Sequence, residues 1–224
     1  VSAQIKPEFL EELGKETKAM LSKNTMPYKS LRSYTGKANH VCNIMWAWRP
    51  FTDQLWAALH SNKPSNAPRG HLWTRQVKQA CKWILAFLEM QGTGVLRTFP
   101  LSAYLESAAA LTFVTDASPW GLGAVALRHG IPIRYFVSDL TRHDYERYHH
   151  QEGDSAGQQV WEALAILVTM RAWSDLWCEG KFTICLQGDN VTALLMALRL
   201  QSPPGGVKEI ARELALEFTK ASFV

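Results

Sequence analysis

Three carboxylates, Asp116, Glu162 and Asp189, are of a residue type that could serve as oxygen ligands to divalent cations. Asp116 closes the apolar run LTFVTD just before Ser118-Pro119-Trp120, and Asp189 follows FTICLQ within GDN. Glu162 lies between them in the chain, near the start of a long helical pattern. Each has an ordinary explanation. An Asp ahead of Ser-Pro opens a turn by bonding backbone two residues on. An Asp ahead of VTALLMAL is a favoured helix N-cap. A Glu in an early helical turn gains from the macrodipole. Taken together they suggest something else. If the two strands are neighbours and the helix lies across them, all three acids meet. Carboxylates forced together repel unless cations sit between them, and hard Mg²⁺ prefers oxygen ligands. Two such ions roughly 3.5–4 Å apart activate a water and stabilise the leaving oxygen of a phosphodiester.

The elements that must position these acids are legible from pattern. Residues 111–116, 121–128 and 131–137 read as strands, the last two joined by a tight RHG turn, and 182–187 as a further strand. Residues 155–177 read as a helix with Arg171 and Asp175 on its solvated side. Glu162 falls opposite them, on the stripe of Ile166, Thr169, Met170 and Trp173. An ionised carboxylate there is costly unless a cation or hydrogen bonds meet it. A helix follows GDN, SPPGG interrupts, and VKEIARELALEFTK forms a last helix. HDYERYHHQEGDSAG reads as a polar loop in which His149 and His150 are solvated, a contact to nucleic acid being the other option. Upstream, 7–22, 28–48, 52–61 and 71–90 read as helices, the first opened by Pro7 with acids in its first turn. SNKPSNAPRG is a loop by composition, and QGTGVLRTFPLS breaks the pattern as a link between two units. The class is α+β, a mixed α/β sheet with flanking helices preceded by a mainly helical unit.

Composition sets the bounds. With 224 residues, 47% apolar and 20% charged, the chain matches an ordinary globular protein of one large or two small domains. No apolar run approaches the ~18 residues of a membrane span, and the charged N-terminus does not read as a signal peptide. Cys42, Cys81, Cys178 and Cys185 form no CxxC, which favours free thiols over a zinc site and an intracellular setting, cytoplasmic or nuclear. Residues 1–100 carry 14 Lys and Arg against six Asp and Glu, and residues 101–224 carry ten against 14. That asymmetry suggests a polyanion-facing part beside an acidic one.

TDASPWGLGAV, VWEALAILVTMRAW and LQGDNVTALLMAL resemble the first three acidic motifs of the RNase H domain of retroelement reverse transcriptases. IPIRYFVSDLTRHDYERYH is similar to that family's third strand and following loop, and LRSYTGKANHVCNIMWAWRPFTDQLWAAL resembles the thumb and connection region of Gypsy-like and DIRS-like members. The resemblance spans about residues 8–224. It implies a thumb/connection-like unit over 1–105 and an RNase H-like domain over 108–224, its sheet five-stranded when complete. It further implies Asp116, Glu162 and Asp189 as catalytic, metal-binding acids for two Mg²⁺ ions, with Mn²⁺ able to substitute. The implied activity is hydrolysis of RNA in an RNA–DNA hybrid, with the palm and fingers of the polymerase as partners in cis and no membrane. Two departures stand out. The family's fourth carboxylate should follow a fifth strand, yet only 35 residues follow Asp189 and they end in ASFV, so this domain reads as truncated. Glu213 and Glu217 lie in the preceding helix and are poor substitutes, and the polymerase's Asp-Asp pair is absent. Two alternatives stay open: a host-retained, inactive module with a binding or structural role, and another nuclease of the same fold, related to resolvases or integrases. The upstream GKANH…RPF segment counts against the second.

Between residues 24 and 100 there are ten Lys and Arg but only two acids, with Trp46, Trp48, Trp56, Trp73 and Trp83 interleaved. The tryptophan spacing fits helix packing. Lys29, Arg32, Lys37 and Arg49 are the candidates for a track along nucleic-acid phosphates, where a duplex would be recognised by shape and 2′-hydroxyls.

Overall fold

In the first part of the chain, β1 (Ser2–Ile5) leads into α1 (Pro7–Leu21), which starts at Pro7 with Glu8 in its first turn, as predicted. β2 (Thr25–Pro27) and α2 (Tyr28–Cys42) follow. A 3₁₀ turn at Trp46–Trp48 runs into α3 (Arg49–Leu59), then come β3 (His71–Trp73), α4 (Lys78–Met90) and β4 (Val95–Thr98). The computed structural model describes residues 2–61, 66–90, 95–98, 111–178, 184–201 and 205–220. The chain divides into two units, Val1–Thr98 and Phe99–Val224, and the predicted boundary between 105 and 108 lies outside the described residues.

Leu13, Leu31, Trp48, Phe51, Leu55 and Ile84 are fully buried in the first unit. Trp48 packs against Phe87, and Phe51 against Trp83 and Phe87. The predicted helix over 28–48 breaks after Cys42, and the one predicted from 71 begins only at Lys78. For the second of these the reason is pairing at long range. His71–Trp73 joins β2 antiparallel, and β1 joins β4 across some ninety residues of chain. Strands of three or four residues leave no periodicity to read.

The second unit begins with the meander β5 (Leu111–Ala117), β6 (Gly121–Arg128) and β7 (Ile131–Asp139). Then come α5 (Arg142–Tyr148), a 3₁₀ turn at Ser155–Gly157, α6 (Gln158–Ala172) and the short α7 (Ser174–Trp177). β8 (Ile184–Gln187), α8 (Val191–Arg199) and α9 (Gly206–Lys220) complete it; Phe182 and Thr183 of the predicted strand lie outside the described residues. The sheet order is β7-β6-β5-β8, with β8 parallel to β5 and the other pairs antiparallel. This is a mixed α+β architecture, a four-stranded sheet with flanking helices, compatible with an RNase H-like fold.

Leu111, Phe113 and Thr115 of β5 alternate inward with Leu122, Ala124 and Ala126 of β6. They meet α6, which also packs on α8 and α9. With neighbours on several sides, α6 is buried almost continuously from Val160 to Met170. Arg171 and Asp175 are exposed, as predicted, and each also forms ion pairs: Arg171 with Glu213 and Glu217, Asp175 with Arg134. The predicted loop after β7 holds α5, closed by a reciprocal capping box between Thr141 and Asp144. Tyr145 of α5 donates its hydroxyl to the Pro119 carbonyl at 2.9 Å, tying this helix to the turn after β5. Among the described residues no helix is long and apolar enough to cross a membrane. All four cysteines are free, and burial pushes the Cys81 thiol up to about 12 and Cys42 to about 11.

Candidate metal centre

The parallel pairing of β5 and β8 sets the first two acids side by side. Val114 is opposite Gln187, so Asp116 and Asp189, each two residues further, leave neighbouring strands at the same end. Gly188 permits this approach: a Cβ there would stand 3.3 Å from the Thr115 carbonyl oxygen. Glu162 arrives from the first turns of α6, which crosses β5, and is only 2% exposed. One carboxylate oxygen from each of Asp116, Glu162 and Asp189 lies within 4.8 Å of the others.

The ordinary duties of both aspartates are carried out by neighbours. Ser118 makes the turn: its Oγ accepts from the Trp120 and Gly121 N–H groups at 3.3 and 3.1 Å. Asn190 caps α8, its Oδ1 accepting from the Ala193 N–H at 3.0 Å. Neither Asp116 nor Asp189 has a side-chain hydrogen bond or ion pair among the described residues. Two strand-end carboxylates with no structural task, facing a buried third, form a local concentration of negative charge.

Glu162 shows the consequence. Burial raises its proton affinity above the usual carboxylate range, and the charges of Asp189 and Asp116 push the same way. Hydrogen bonds from the Gln158 side chain, at 2.8 Å, and from the Ala117 backbone hold it down in part. The donor set is oxygen only, two of the three groups are open to solvent, and no Lys or Arg pairs with them among the described residues. Such a set fits a hard divalent cation. Glu213 and Glu217 do not join it, since both are bound to Arg171 at 2.6 Å.

The candidates for the phosphate track fare differently. Lys37 lies between Glu12 and Glu16 at 2.7 and 2.5 Å, which raises its proton affinity and offsets its positive charge with two negative ones. It joins α2 to α1 and does not project as a phosphate contact. Arg49 is half-buried at the start of α3. Lys29 and Arg32 are exposed on α2. Lys29 lines a cleft of about 410 Å³ together with Lys23, Ser30 and Ser33, which the sequence reading passed over. His149 is the left-handed C-cap of α5, and His150 packs edge-on against Trp161. Gly157 is needed here because a Cβ would stand 2.6 Å from the Trp161 Nε1.

No protein-family model matches this chain, and no curated protein sequence matches it.

Proposed function

We propose that the second unit is a ribonuclease of the RNase H type, part of a retroelement reverse transcriptase, that hydrolyses the RNA strand of an RNA–DNA hybrid. The observation that carries this reading is the convergence of Asp116, Glu162 and Asp189 within 4.8 Å, with the turn and cap duties of the two aspartates taken by Ser118 and Asn190. A phosphodiester is itself negative, so three clustered carboxylates repel it unless cations intervene. Mg²⁺, with Mn²⁺ as substitute, is the cation this reading requires, and Asp116, Glu162 and Asp189 would hold it. When bound, such ions activate water and stabilise a leaving oxygen.

The chain's own contribution is placement. Asp116 and Asp189 project from the paired strands β5 and β8, and Glu162 from a helix packed on that sheet. Oxygens mounted this way need little reorganisation at the moment of reaction. In the first unit Lys29 and Arg32 would contact backbone phosphates, which positions a duplex without reading its sequence. The palm and fingers of the polymerase would be the partners in cis.

Cleavage of an end-labelled RNA–DNA hybrid in Mg²⁺ and in Mn²⁺, beside Asp116→Asn, tests the reading. Cleavage that disappears in the variant supports it. Cleavage unaffected by the substitution refutes it, and salt-sensitive binding without any cleavage points to a retained binding module.

A further inference from the structure

Gln158 opens α6 one turn before Glu162. Its Nε2 donates to the Ala117 carbonyl oxygen at 2.7 Å and to the Glu162 Oε1 at 2.8 Å. Both partners are acceptors, so the amide orientation is fixed: its own oxygen turned toward them would be repelled by both. An amide nitrogen carries two protons, and both are engaged. Ala117 directly follows Asp116 on β5. One side chain therefore spans from the strand bearing the first acid to the helix bearing the second. The helix does not need this link to stay on the sheet, because Trp161, Ala165 and Ile166 of α6 are already fully or almost fully buried. The bond also engages one oxygen of Glu162, Oε1, and so fixes how this carboxylate is turned.

We propose that Gln158 is a positioning residue of the acidic centre, fixing the separation of Asp116 and Glu162 and the orientation of the Glu162 carboxylate toward a cation. The inference rests on the reading of the three acids as a cation site. Partners that orient metal ligands are worth roughly 10–100-fold in metal affinity when removed. Gln158 acts at the earliest stage, before any nucleic acid is present.

The test is titration of Mn²⁺ alone into the full chain, for the wild type, Gln158→Met and Gln159→Met. Methionine keeps the length of Gln158 and removes both donors, and Gln159 is the exposed neighbour. Expected is a Mn²⁺ dissociation constant raised roughly 10-fold or more in Gln158→Met, unchanged in Gln159→Met, with all three proteins melting alike in EDTA. Equal affinity in Gln158→Met and the wild type overturns the proposal. Absence of Mn²⁺ binding by the wild type defeats the cation-site reading instead, and the metal-free chain then decides on Gln158. Its side-chain amide should give displaced ¹⁵N–¹H resonances that move with Glu162→Ala and not with Glu152→Ala. Resonances at free-glutamine positions overturn the proposal, whether or not Gln158→Met folds.

Discussion

Asp116→Asn should stabilise the metal-free protein while removing its response to metal. Two unit charges at 4.8 Å, the upper bound on the separation of the nearest oxygens, repel by ~0.9 kcal/mol in water and by ~3.5 kcal/mol at an effective dielectric of about 20. Asp116 and Asp189 are exposed, so the lower figure applies, and screening by salt trims it further. Asparagine removes the repulsion of Asp116 with both Glu162 and Asp189, about 1–2 kcal/mol together. At ~2–4 °C per kcal/mol for a chain of this size, the melting temperature should rise by about 4 °C. The assay is a thermal melt followed by circular dichroism at pH 7.5 and low salt, first in EDTA and then in Mg²⁺. Expected is a variant that melts above the wild type in EDTA, a wild type that Mg²⁺ stabilises by mass action, and a variant that Mg²⁺ leaves almost unmoved. A variant melting at or below the wild type in EDTA, or gaining as much from Mg²⁺, would refute the reasoning.

Glu162 binds its proton more tightly folded than unfolded, because burial and its two acidic neighbours raise its affinity. Its contribution to metal-free stability is therefore full below the ordinary carboxylate range and is lost as pH rises through the raised folded value. Glu162→Gln should remove that decline, read as urea midpoints across pH 4–8; parallel curves for the two proteins would contradict it. Arg171→Ala removes one ion pair of Glu217, 4% exposed, and frees α9 from one tie to α6. The guanidinium is 44% exposed, so the expected cost is about 1–2 kcal/mol, and a loss under about 0.5 kcal/mol in urea titration would show that the pair is not structural. For hybrid binding, Lys29→Ala and Arg32→Ala should each reduce the log–log salt slope by about 1. Lys37→Ala should leave the slope unchanged, its charge being held by Glu12 and Glu16; an equal reduction would restore Lys37 to the track.

The strands of the second unit were legible because apolar and β-branched residues mark them and Gly and Pro bound them. The three acids were legible only as a coincidence of strand ends. Whether Asp116 served a turn and Asp189 a cap depended on which neighbour made those bonds, and both Ser118 and Asn190 are equally plausible cappers by type. Helix α6 shows the limit of a helical wheel. It is buried on several sides, and although Arg171 at its end is exposed as read, the wheel could not show that it reaches buried Glu217 on α9. The short β1–β4 strands depend on partners far along the chain and leave no local signal. Helix α5 did leave one, the Thr141-x-x-Asp144 capping box, inside a stretch whose polarity read as loop. Gln158 left none, since only the fold brings its amide to Ala117.

The most direct measurement is anomalous diffraction from crystals of the chain soaked in Mn²⁺. Expected is a peak between the carboxylates of Asp116, Glu162 and Asp189, absent from Asp116→Asn crystals treated alike. A saturating soak with no peak at these three acids would contradict the cation site on which the functional reading rests.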